Sequence, residues 1–306
     1  MKKKTFISRA DLPILLLATL LLISAGGFAA FYYFDRYVHP DEKVLARQSK
    51  HLEGMVQKNP QNPDMRVATA VYYLDSGLVD AAIQQGEEAL KIEPKHQGAM
   101  ILLGRAYETK GNNEKAVEYM TQVIELNRDN PMAKVDKRIN TVYYHLGTLY
   151  RQQGKYPEAS EALKNALNID YTDADARYAL GTVYQKQNDH AAAIKEFQEA
   201  LRFDPTYGDP YQGLAASYAA LGDHTKAAYA RAMVTLTQGK YGDAATQLEA
   251  VVGQSPDLAQ ANFGLGLAYE KLGKRPEAIA ALNSFLKVYP NDIAARQALG
   301  RLEQGN

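Results

Sequence analysis

Residues 143–167 read YYHLGTLYRQQGKYPEASEALKNAL, and the order of small and large side chains in this stretch decides the fold. Leu146, Gly147, Tyr150, Gly154, Ala159, Leu163 and Ala166 follow a spacing that returns along the chain with a period of 34 residues. Gly104, Gly147, Gly181 and Gly266 share one slot, which Ala70, Ala215 and Ala232 fill in the other copies. Three residues further on stand Tyr73, Tyr107, Tyr150, Tyr184, Tyr218 and Tyr269. Twelve residues after the small slot there is always an alanine: Ala82, Ala116, Ala159, Ala193, Ala227, Ala244 and Ala278. Pro94, Pro205, Pro256 and Pro290 each close a helical run.

This spacing predicts two amphipathic helices per unit, each of about fourteen residues. Gly-containing turns such as KGNNEKA, QGKYPEA and LGKRPEA join them. The small slots let the paired helices approach closely, and the tyrosine with Leu163, Phe197 or Leu282 fills the space between them. A single pair cannot bury its apolar face, so each must stack on the next. The pattern resembles the tetratricopeptide repeat over nearly all of residues 63–290. The resemblance implies an all-α, right-handed superhelical solenoid of helix-turn-helix repeats, near 63–96, 97–130, 140–173, 174–207, 208–224, 225–258 and 259–290. The family's early Trp slot is never Trp here, and Thr235 replaces the tyrosine of the sixth copy. Residues 291–306 read as a capping helix and residues 35–62 as a linker with a leading helix.

Two irregularities interrupt the period. The second and third copies are 43 residues apart, with the extra stretch around DNPMAKVDKRIN. Asn130 is a potential cap and Pro131 suits a first helical position, which predicts one long helix from about Pro131 to Gln153. The fifth and sixth copies are only 17 apart, so the helix around Thr225–Gln238 answers to both helix roles and the register should break there.

Formal net charge is zero over the 306 residues, but Lys2, Lys3, Lys4 and Arg9 stand together at the start, leaving 31 basic against 35 acidic residues elsewhere. A mildly acidic body lacks the basic footprint of a nucleic-acid binder. With no cysteine there is no disulfide, zinc–thiolate site or thiol catalysis. The six histidines are scattered, and no phosphate loop or metalloprotease motif occurs. Acid pairs such as Glu87-Glu88 suit solvated faces and helix starts. The expectation is a protein that is not an enzyme and has no cofactor, no metal, no small-molecule substrate and no nucleic-acid partner.

From Leu12 to Phe34 the chain runs 23 residues without a charge, enough for a helix of roughly 34 Å across a hydrocarbon core of about 30 Å. Phe31, Tyr32, Tyr33 and Phe34 form an aromatic belt at its end. The basic residues precede the span, so the positive-inside rule leaves residues 1–11 in the cytoplasm and places everything beyond the span outside it. A cleaved signal peptide with small residues at Ser24-Ala25-Gly26 is the competing reading. The expected location is therefore an inner (plasma) membrane, single-pass, with the repeats extracytoplasmic.

In the family that the pattern resembles, the first helix of each repeat lines a concave groove. The resemblance carries the groove positions onto Ile101, Arg105 and Glu108 of the second copy. It assigns Tyr144, Thr148, Arg151 and Gln152 of the third, and Tyr178, Thr182, Gln185 and Lys186 of the fourth. Tyr144 and Tyr178 stand one period apart with Thr148 and Thr182 beside them, a ladder suited to an extended or helical peptide. The family's carboxylate clamp for chaperone tails would fall on Val67, Val71, Leu102, Thr141 and His145, none of which is Lys, Arg or Asn. The expected function is a membrane-tethered scaffold that binds protein partners and supports an envelope assembly. A chaperone-like factor resembling the repeat proteins of cytochrome c maturation, or a regulator of a membrane-bound enzyme, are the alternatives.

Overall fold

The structure, a computed structural model, describes residues 40–304, with side chains from residue 48 onward. All the regular elements described are helical. The transmembrane helix expected over Leu12–Phe34 lies outside the described residues; among those described, no helix is long and apolar enough to cross a membrane. The helices are α1 (Pro40–Lys58), α2 (Pro63–Asp75), α3 (Val79–Ile92), α4 (Gln97–Thr109), α5 (Asn113–Leu126), α6 (Lys137–Gln152), α7 (Tyr156–Ile169) and α8 (Ala174–Lys186). There follow α9 (His190–Phe203), α10 (Gly208–Ala220), α11 (His224–Thr237), α12 (Tyr241–Gln254), α13 (Ala259–Lys271), α14 (Arg275–Val288) and α15 (Ile293–Gln304). The chain divides into two compact units, one ending at Ala106 and the other running from Tyr107, so the boundary falls inside α4.

The repeat slots are the core. All seven recurrent alanines are fully buried, as are Leu163, Phe197 and Leu282. Helices pair closely because the small slots leave no room for more: a Cβ added to Gly147 would lie 2.5 Å from Leu163 Cγ, and one added to Gly266 would lie 2.7 Å from Leu282 Cγ. In the first unit, Gly86 meets Leu103 in the same way, and the Tyr73 hydroxyl donates to Glu53 of α1 at 2.7 Å. The turn between the two helices of a repeat needs one left-handed residue, supplied by Gly154 at φ 74° and by Asn188 at φ 60°.

The nine-residue insertion does not extend α6 back to Pro131. Asn130 does cap a helical start, its side chain accepting from Met132 N–H, but the result is a 3₁₀ turn, Pro131–Val135. Asp136 is extended (φ −84°, ψ 113°), and its carboxylate accepts from Arg138 N–H at 2.8 Å. That side-chain bond satisfies the backbone locally and starts α6 afresh, which is why the expected single helix is broken in two.

The half-length copy shifts the register inside the second unit. First helices of successive repeats touch one another, α6 with α8 and α8 with α10. Beyond α11 the line continues from α11 to α13 and from α13 to α15. α11 therefore packs on α10 as a second helix and serves α12 and α13 as a first helix. The turns at Gly222 and Gly239 are both of the within-repeat kind, with φ 77° and 76°.

Candidate partner-binding face

The α6–α8 contact brings the third- and fourth-copy residues together on neighbouring helices. Tyr144 is half-buried with its ring edge-on to His145, centroids 5.5 Å apart. Tyr178 packs against Phe197 and Tyr207 at 5.9 and 5.4 Å, so its ring also belongs to the core rim. Burial raises the pKa of both phenols. Asp175, Asp173 and Glu108 push Tyr144 further up, and Asp209 does the same to Tyr178. Arg151 opposes the rise at both hydroxyls, so its charge is felt on the two steps of the ladder at once. Its Nε is buried and has no hydrogen-bond partner.

The other positions differ in how much they can offer a ligand. Thr148 is buried and donates to His145 C=O at 2.8 Å, within its own helix. Thr182 is half-buried and donates to Ala179 C=O. Gln185 braces the next first helix, donating to Gly213 C=O at 2.9 Å and to Ser217 Oγ at 2.8 Å. Gln152 is exposed and accepts from Asn113 at 3.0 Å, and Lys186 is exposed at the edge. Glu108 sits 2.8 Å from His145 Nδ1. In the first unit, Ile101 is half-buried and the Arg105 guanidinium lies 3.9 Å from Asp75.

Sequence reading missed a device that recurs at repeat starts. Arg66, Arg177 and Arg296 each donate to the carbonyl six residues earlier, of Pro60, Tyr171 and Pro290. Arg177 also pairs with Glu196 at 2.9 Å, both largely enclosed. The signal was available: an arginine at the fourth position of α2, α8 and α15, preceded by a turn. Among the described residues, no three His, Asp or Glu side chains gather as a metal site.

Paired helices with small-residue contacts, and first helices that stack on one another within the second unit, define an all-helical repeat protein among the described residues. Tetratricopeptide repeat profiles match residues 73–134, 147–188, 174–207 and 229–293, and the chain is a tetratricopeptide repeat protein. Among curated proteins, the cellulose synthase operon protein C of Escherichia coli K12 is 28% identical over 162 residues, half of this chain but 14% of that protein. The photosystem I assembly protein Ycf3 of Rippkaea orientalis is 30% identical over 115 residues, 32% of this chain and 65% of its own length. Among solved structures, the C-terminal part of a TPR repeat-containing protein from Cytophaga hutchinsonii covers 89% of this chain and 98% of its own. That match has a TM-score of 0.53 at 18% identity. MamA from Desulfovibrio magneticus RS-1 covers 58% of this chain and 96% of its own, with a TM-score of 0.52 at 20% identity. Both likenesses concern the fold alone.

Proposed function

We propose that this chain is a non-enzymatic scaffold, tethered to a membrane through residues 12–34. Its repeats face outside the cytoplasm, and it holds protein partners along the α6–α8 face to support assembly of an envelope complex. The observation that carries the reading is the juxtaposition of Tyr144 and Tyr178, two half-buried phenols on adjacent first helices, with the Arg151 charge acting on both. The rings supply rigid contact area at small entropic cost. The assembly role draws support from Ycf3, whose name describes a photosystem assembly protein.

The test is photo-crosslinking in intact membranes from a crosslinker placed at Lys186, which is exposed at the edge of the face. Tyr144→Ala and Arg151→Gln should each reduce the adduct several-fold while helicity is unchanged. Tyr178→Ala is a poorer probe because its ring also packs on Phe197. Unchanged adducts in both variants would remove this face from the function. Protease digestion of the repeats from the cytoplasmic side alone would overturn the topology.

A further inference from the structure

The register shift at α11 leaves a cavity of about 350 Å³ in the second unit, walled by α9, α10, α11 and the start of α13. It lies where the 17-residue copy replaces a full repeat. Three tyrosines line it, Tyr211, Tyr218 and Tyr229, and Leu214, Leu258 and Gln260 are among the rest of the wall. The volume falls in the range of small-molecule sites, roughly 300–1,000 Å³, and tyrosine rings and leucines share the wall with polar side chains.

We infer that this cavity is a binding site for a small neutral molecule with an apolar ring body and one carbonyl oxygen, received by the Tyr218 hydroxyl. The hydrogen-bond directions supply the donor. Gln198 Nε2 donates to Tyr218 Oη at 3.0 Å, which leaves the Tyr218 O–H proton available to a ligand. Tyr229 and Tyr211 are bonded to each other deeper in the wall. Burial keeps all three phenols protonated, and with Tyr229 and Tyr211 bonded to each other the Tyr218 hydroxyl is the neutral donor toward a ligand. The cations at the mouth are already committed: Arg202 to Glu199 at 2.7 Å and Lys226 to Asp223 at 2.8 Å. Asp292 adds a negative charge there. Two cations stand there against three carboxylates, so the mouth has no surplus positive charge to hold an anion, which favours a neutral ligand.

The test uses the full chain with methyl-labelled leucines, so that Leu214 and Leu258 report from the wall, and three probes sharing a ring: acetophenone, ethylbenzene and benzoate. Acetophenone should shift both leucines saturably. Ethylbenzene, lacking the acceptor, should bind about two- to twelvefold more weakly, the range of one neutral hydrogen bond. Tyr218→Phe should weaken acetophenone by a similar factor and leave ethylbenzene unchanged, with the melting curve showing that the variant folds. The proposal is overturned if acetophenone gives no saturable shift, or if ethylbenzene binds wild type equally well. Benzoate binding more tightly than acetophenone would overturn the neutral class.

Discussion

Phe197 occupies the slot that Leu163 and Leu282 fill in other repeats, and two glycines make room for it. An added Cβ would lie 2.6 Å from the ring at Gly181 and 2.5 Å from it at Gly213. The ring is fully buried, so it cannot retreat from a new methyl group. Gly213→Ala should therefore cost about 1–3 kcal/mol by overpacking, measured by urea unfolding followed by helicity. Phe197→Leu alone opens a gap, but in the double variant the two changes should offset each other, leaving less than the sum of the single costs. Strict additivity would mean that the contact does not limit the fit. Gly154 is a different case: its added Cβ meets nothing within 4 Å, so Gly154→Ala should cost about 1–2 kcal/mol through its left-handed φ alone. The small slot at Gly181 was legible because it repeats. Gly213 was not, because only the larger ring at Phe197 calls for it.

At the scale of the helix, local capping decided what periodicity could not. Asn130 and Pro131 do start a helical turn, but the competing cap at Asp136 ends it after five residues. Asp136→Ala should destabilise the chain by about 1 kcal/mol through loss of the α6 cap, and a helicity increase over residues 131–136 would show that the cap was the only break. A second inter-helix device is the tyrosine hydroxyl, which reaches back twenty residues to a carboxylate: Tyr73 to Glu53 and Tyr269 to Glu249. Burial, then the Glu53 bond, pushes Tyr73 up to about 12. The Glu249 bond, then burial, does the same for Tyr269. Each folded value exceeds the ordinary value of 10.0, so this stability is whole below pH 10 and is lost as pH rises through about 12. Tyr269→Phe should flatten the alkaline fall in melting temperature, and an identical fall in wild type and variant would refute the linkage. The tyrosine slot was readable from its period. Its partner was not, because a glutamate on an exposed face looks the same with or without a bond.

For the second unit as a whole, the single helix α11 joins two stacks, touching α10 on one side and α12 and α13 on the other. The 17-residue spacing gave this double role away in the sequence, since one set of residues had to satisfy both positions of the repeat. The cavity beside it was not legible, because its wall is drawn from residues far apart in sequence that only the packed helices bring together. In repeat arrays stability is close to a sum of unit and nearest-neighbour terms, so cooperativity passes only through the interfaces present. Weakening α11 should then uncouple the stacks before either one unfolds. Arg231 is exposed midway along α11, which makes Arg231→Pro a local break costing about 3 kcal/mol with little direct loss of core contact. The variant should melt in two steps, with hydrogen exchange lost together in α12–α15 and separately in α6–α10, while Arg231→Ala keeps the wild-type profile. A single transition shifted to lower temperature would show that the stacks are coupled by contacts other than α11.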